Sequence, residues 1–90
     1  MEIIYSQEAK KDLEYWKKSG NKAIQKRISL LISAIIENPY LGIGKPELLK
    51  YDLSGKWSRR INNEHRITYR VTNNNEIEIL TIFTLKGHYE

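Results

Sequence analysis

The chain contains no cysteine among its 90 residues, which excludes disulfide staples, thiol nucleophiles and cysteine-ligated metal. A reducing compartment suits such a chain, and the cytoplasm is the expected location. Histidine is scarce as well. His65 and His88 are the two present, far apart and without a carboxylate at metal-ligand spacing, so neither a zinc site nor any other cofactor is expected. Long apolar runs are missing too. The richest, Ile28 to Ile36, is broken by Ser29 and Ser33 and falls far short of a membrane span. Met1 to Tyr5 leads straight into a charged segment instead of a signal-peptide core, so no membrane association is expected. There is no low-complexity tract and no internal repeat. With 40% hydrophobic and 10% aromatic residues the chain can bury enough surface to fold, and its length suits a single domain spanning 1–90.

What the chain does have is an uneven charge distribution. The formal net charge is +4. From Lys45 to Arg70, seven Lys or Arg stand against three Asp or Glu, while the rest balances at eight against eight. The basic stretch also carries aromatic and apolar residues at strand spacing, which marks a folded cationic surface of the kind that meets phosphate. Glu47 is an isolated carboxylate within it.

Local patterns predict the order βααβββ, in which two N-terminal helices pack on one face of a twisted, mainly antiparallel sheet, an α+β fold. Glu2 to Tyr5 reads as an edge or second strand, ended by Ser6, a helix N-cap with Glu8 in the first turn. Ala9, Leu13 and Trp16 recur at helical spacing, with Lys10, Lys11, Asp12 and Glu14 directed elsewhere and Gly20 beyond the end. A second helix begins near Asn21, buries Ile24, Ile28, Leu31, Ile32 and Ile35, and stops at Asn38-Pro39. Two glycines and two prolines mark 39–47 as a loop. Strands follow at Trp57–Ile61, Arg66–Val71 and Glu76–Phe83, separated by asparagine-rich turns.

Register then decides which side chains share a face. If Trp57, Ile61, Ile67, Tyr69 and Val71 face the helices, Trp57 pairs with Tyr69 and Arg60 with Arg66. Ser58, Arg60, Arg66, Thr68 and Arg70 then share an open opposite face. Like charges directly across a sheet destabilise the pair, so an anion is expected there. Simple alternation directs Ile77, Ile79, Thr81 and Phe83 toward the helices, leaving Leu80 and Ile82 on the arginine side. Arg59, facing the helices, is expected to snorkel at the core edge or meet a partner. His65 beside Glu64 reads as a structural hydrogen-bonding residue.

Glu47, Lys50, Arg60, Arg66, His88 and Tyr89 are the residues able to converge on the basic face, and together they form a metal-free phosphotransfer set. Cleaving RNA requires taking a proton from a 2′-hydroxyl, stabilising charge on the phosphorus oxygens and protonating the departing 5′-oxygen. Glu47 suits the first task, Arg66 with Arg60 the second and His88 the third.

At these residues the chain resembles the YoeB branch (Txe/YoeB) of the RelE/ParE toxin superfamily, the mRNA interferases of toxin–antitoxin pairs. The resemblance runs through Gly42 to Lys50, Leu53 to Ile61, Glu64 to Tyr69 and the terminal His88-Tyr89. It implies a microbial-ribonuclease-like fold, cleavage of messenger RNA in the ribosomal A site and inhibition by a YefM-like antitoxin, with homodimerisation plausible. It also implies Glu47 as general base, Arg66 as transition-state stabiliser, His88 as general acid, Tyr89 as the terminal residue that orients substrate, and Arg60 and Lys50 as phosphate-binding positions. The chain departs from many relatives in carrying Leu85-Lys86-Gly87 before the His-Tyr pair and Glu90 after it. Two other functions fit a basic domain of this kind: a noncatalytic ParE-like toxin that binds DNA gyrase, and a simple RNA-binding module.

Overall fold

The computed structural model describes residues 2–49 and 55–83. Helix α1 (Gln7–Ser19) starts where expected, because the Ser6 hydroxyl accepts the Ala9 N–H at 2.9 Å. Glu8 lies in its first turn and Lys17 and Lys18 in its last, each complementing the helix dipole. Gly20, at φ 75°, turns the chain out of it. Helix α2 (Lys22–Glu37) is capped by Asn21, whose side chain accepts the Ile24 N–H. It ends at Asn38, where the following proline disfavours helical backbone.

Among the described residues, five strands form one sheet: β1 (Ile3–Tyr5), β2 (Glu47–Leu48), β3 (Trp57–Arg60), β4 (Arg66–Val71) and β5 (Ile77–Phe83). Their spatial order is β1-β5-β4-β3-β2, with β1 parallel to β5 and every other pairing antiparallel. The α+β arrangement is the one expected, with the two-residue β2 added at an edge. Ala9 and Trp16 from α1 and Ile28, Leu31 and Ile35 from α2 are buried with Ile61, Ile67, Tyr69, Ile77, Ile79 and Ile82. Each large aliphatic among them contributes about 1.5–3 kcal/mol by leaving water.

Trp57 lies opposite Tyr69 and Arg60 opposite Arg66, as inferred from the hydrophobic pattern. The last strand departs from simple alternation. Thr68 pairs with Thr81 but Tyr69 pairs with Ile79, so Leu80 is an extra residue that forms a bulge. One inserted residue inverts the parity of everything beyond it. Thr81 therefore joins Ser58 and Thr68 on the basic face, while Ile82 lies opposite Ile67 and is buried in the helix-side core.

Asp12 also differs from expectation. Instead of pointing to solvent it is buried, and its Oδ2 accepts the Ile82 N–H at 2.8 Å. The cause is the short length of β1, which stops pairing with β5 at Tyr5 and Ile79. Beyond that point the outer edge of β5 has backbone groups with no strand beside them, and helix α1 satisfies them. The Ser6 hydroxyl donates to the Leu80 carbonyl at 2.7 Å, and Trp16 Nε1 donates to the Ile82 carbonyl at 2.7 Å. Periodicity detects apolar partners, and this helix also carries polar side chains that do the work of a missing strand.

Candidate active site

Glu47 is held on a strand, not in the loop that its glycine- and proline-rich surroundings suggest. The Leu49 N–H donates to the Lys56 carbonyl at 2.9 Å, Leu48 pairs with Trp57 and Glu47 pairs with Ser58. Pairing fixes its face. Glu47, Ser58, Thr68 and Thr81 form one row across β2, β3, β4 and β5, and Arg60 and Arg66 lie in the next row on the same face. With strands about 4.8 Å apart and same-face neighbours about 6.7 Å apart along a strand, the Glu47 backbone stands about 8 Å from that of Arg60 and about 12 Å from that of Arg66. Side chains of this length can span those gaps to a shared substrate.

Among the described residues neither Arg60 nor Arg66 has a carboxylate partner. Arg70, on the same face, shows the contrasting case: it lies opposite Glu78, and its Nε donates to Oε1 at 2.8 Å. The register thus neutralises one arginine and sets the other two against each other. Relief of that repulsion favours an anion between them. The face is less open than expected, because Ser58 and Thr68, flanked along their strands by arginines, are 0% and 3% exposed. Their hydroxyls and that of Thr81 are buried without hydrogen-bond partners among the described residues. Glu47 and Arg60 at its rim are exposed and Arg66 is half-buried.

The structure therefore brings Glu47, Arg60 and Arg66 onto one face. Lys50, His88 and Tyr89 lie outside the described residues. His65 packs edge-on against Trp16, with ring centroids 4.8 Å apart, which suits a packing role.

Arg59 is the residue whose importance the sequence reading missed. It faces the helices, but it does not snorkel; it is fully buried. Nε donates to the Tyr69 hydroxyl and Nη1 to the Ile43 carbonyl, both at 3.1 Å, while Nη2 donates to the Leu41 carbonyl at 3.1 Å and also to that of Asn38. The Tyr69 hydroxyl in turn donates to the Pro39 carbonyl at 2.6 Å. A signal was present in the sequence: a loop without regular structure presents carbonyls that need donors, and Arg59 is an inward-facing cation with a fan of them.

Burial pushes the Tyr69 phenol above its ordinary value of 10.0, and the Arg59 guanidinium opposes that shift only in part. Above pH 10 the unfolded chain releases this proton while the folded chain retains it, so the folded state binds more protons and stability falls with rising pH. The contribution is whole below pH 10 and is lost as pH climbs toward the folded-state value. Denaturant midpoints between pH 9 and 11 are expected to fall, and to fall less steeply in Tyr69→Phe. An identical slope in the variant would rule out this origin.

A family model for the YoeB-like toxin of bacterial type II toxin-antitoxin systems matches residues 5–89. Toxin YoeB of Synechocystis sp. is 48% identical over 75 residues, which cover 83% of each chain. Among solved structures, the YoeB/ParE toxin from Agrobacterium tumefaciens superimposes with a TM-score of 0.85 at 34% identity, covering 93% of this chain and 98% of that one. The Staphylococcus aureus relative is similar both in the YoeB-YefM complex (TM-score 0.80, 42% identity) and as a YoeB dimer (0.81, 39%), each covering 92% of this chain and 94% of the other. With the match running from the first strand almost to the final residue, the chain belongs to the YoeB-like toxins of bacterial type II toxin–antitoxin systems.

Proposed function

We propose that this toxin is a ribosome-dependent endoribonuclease that cuts messenger RNA in the A site. The observation carrying this reading is a single carboxylate, Glu47, sharing a sheet face with the opposed arginines Arg60 and Arg66. In the reaction the substrate's 2′-oxygen attacks the adjacent phosphorus while Glu47 accepts its proton. The guanidinium groups hold the charge that builds on the non-bridging oxygens. The bond from phosphorus to the 5′-oxygen breaks, and His88 protonates the departing oxygen. The products are a 2′,3′-cyclic phosphate and a 5′-hydroxyl end. Tyr89 orients the substrate, and Lys50 contributes charge toward phosphate. All proton transfers are assigned to side chains, so the reaction needs no metal as cofactor.

A cytoplasmic location follows from the substrate. The S. aureus relative is solved with YefM, and a YefM-like antitoxin covering the basic face is the matching partner here; the dimeric form of that relative supports a homodimer. The test is to add the purified protein to translating ribosomes and map new 5′ ends. Hydroxyl-terminated ends within the A-site codon are expected, retained with a transition-metal chelator and abolished by saturating antitoxin. Intact messenger RNA with inhibited gyrase would assign the protein to the ParE-like alternative, and RNA binding without product would leave only a basic binding module.

A further inference from the structure

We propose that Arg59 is a positioning residue that holds Glu47 in place for proton transfer, acting through the loop between α2 and β2; this rests on the reading of Glu47 as general base. Glu47 is exposed and sits on a strand of two residues, whose pairing sets its face but is too short to fix its placement along the sheet edge. Its orientation depends on the nine residues before it, and those are organised around one guanidinium. Arg59 binds the carbonyls of Asn38, Leu41 and Ile43 and, through the Tyr69 hydroxyl, reaches Pro39. The loop closes on it from the other side: a Cβ at Gly42 would stand 3.1 Å from Nη1, and one at Gly44 would stand 3.1 Å from the Arg59 Cβ.

The same stretch of β3 then holds the end of the loop. The Arg60 N–H donates to the Gly44 carbonyl at 2.6 Å. Lys45 follows at a positive φ of 52°, then Pro46 and Glu47. A non-glycine residue persists in that conformation only when its surroundings over-determine it, and here the constraint comes from β3 through the loop it carries. Arg59 and Arg60 therefore divide the labour by strand parity. One points inward and sets the loop that delivers the base, and the other points outward toward the phosphate.

Planarity explains why arginine is required. Its fork reaches acceptors on three loop residues and a phenol at once, whereas a lysine ammonium is a point charge at the end of a flexible stem. A displacement of about 1 Å at a reacting group can cost about 10²-fold in rate. In Arg59→Lys, single-turnover cleavage on programmed ribosomes is expected to slow about 10²-fold, with half-saturation changed less than about threefold.

The decisive measurement repeats Arg59→Lys in a Glu47→Gln background. If Arg59 acts through Glu47 the two effects are not additive, and the lysine substitution costs less than about threefold there. Equal cost in both backgrounds, or no cost in either, would overturn the proposal. Should Arg59→Lys melt below the assay temperature, Tyr69→Phe provides the second route: it removes the phenol and leaves the guanidinium, and it should show the same background dependence with a cost of about tenfold. Full cleavage by Glu47→Gln alone would instead remove the general-base reading, an outcome separable from failure of the positioning role.

Discussion

Replacing Glu47 by glutamine is expected to slow cleavage on translating ribosomes by about 10² to 10⁴, the range of a positioned general base. The fold should be unaffected. Glu47 is exposed, forms no salt bridge among the described residues and leaves its backbone pairing with Ser58 intact when its side chain is shortened in charge only. Substitutions of this kind usually change stability by less than about 0.5 kcal/mol. Thermal melts and cleavage rates measured on one preparation separate the two effects. His88→Ala should show a comparable loss at the opposite step, proton delivery to the 5′-oxygen. Product formation at the parent rate by both variants would end the acid-base assignment and leave the arginines with affinity alone.

Gly44→Val is expected to produce the largest change in stability. Gly44 has φ +84°, and a Cβ there would stand 2.6 Å from Leu31 Cδ2 and 3.3 Å from the Arg60 carbonyl oxygen. Leu31 is fully buried in the core and cannot retreat without moving its neighbours. Left-handed backbone strain and overpacking together should cost about 3 kcal/mol, which for a domain of this size lowers Tm by about 12–24 °C. Gly20 is the control. It has φ +75° but nothing within 4 Å of its added Cβ, so Gly20→Ala carries the backbone cost alone, about 1 kcal/mol. Comparable losses at both positions would show that the contact with Leu31 is not what restricts residue 44.

Both helices, the strands other than β2 and the register of β3 against β4 were legible because they rest on strong local signals: Ser6 as a cap, Gly20 beyond the first helix, Asn38-Pro39 as a stop, and alternation of Trp57, Ile61, Ile67 and Tyr69 on one face. That register alone predicted the Arg60–Arg66 pair. The bulge at Leu80 was not legible, because the adjacent apolar pairs Ile79-Leu80 and Ile82-Phe83 on either side of Thr81 give alternation no single phase to follow. Asp12 and Arg59 were misread for a related reason. Charged groups are assigned to water by default, so Asp12 was directed away from the core and Arg59, though facing the helices, was expected to snorkel or meet a partner; both are instead buried where main-chain groups lack partners, Asp12 at the edge of β5 and Arg59 beneath a loop of carbonyls. Hydrogen-bond demand of the backbone depends on where elements end, which hydrophobic patterns do not encode. Of the proposed site, Glu47, Arg60 and Arg66 were chosen from charge context, and the position of Glu47 on β2 added the constraint of a strand to what read as a loop.

The seal that α1 places on β5 joins Ser6, Asp12 and Trp16 to residues 80 and 82, partners separated by 66 to 74 positions. During vectorial synthesis the first helix therefore leaves the ribosome long before the segment it must grip exists. A nascent chain ending before Ile77 has no strand for β1 to join and none for Trp16 to clasp. The grip of the first helix on the sheet is therefore a late event in folding, one that waits for residues 77–82 to emerge.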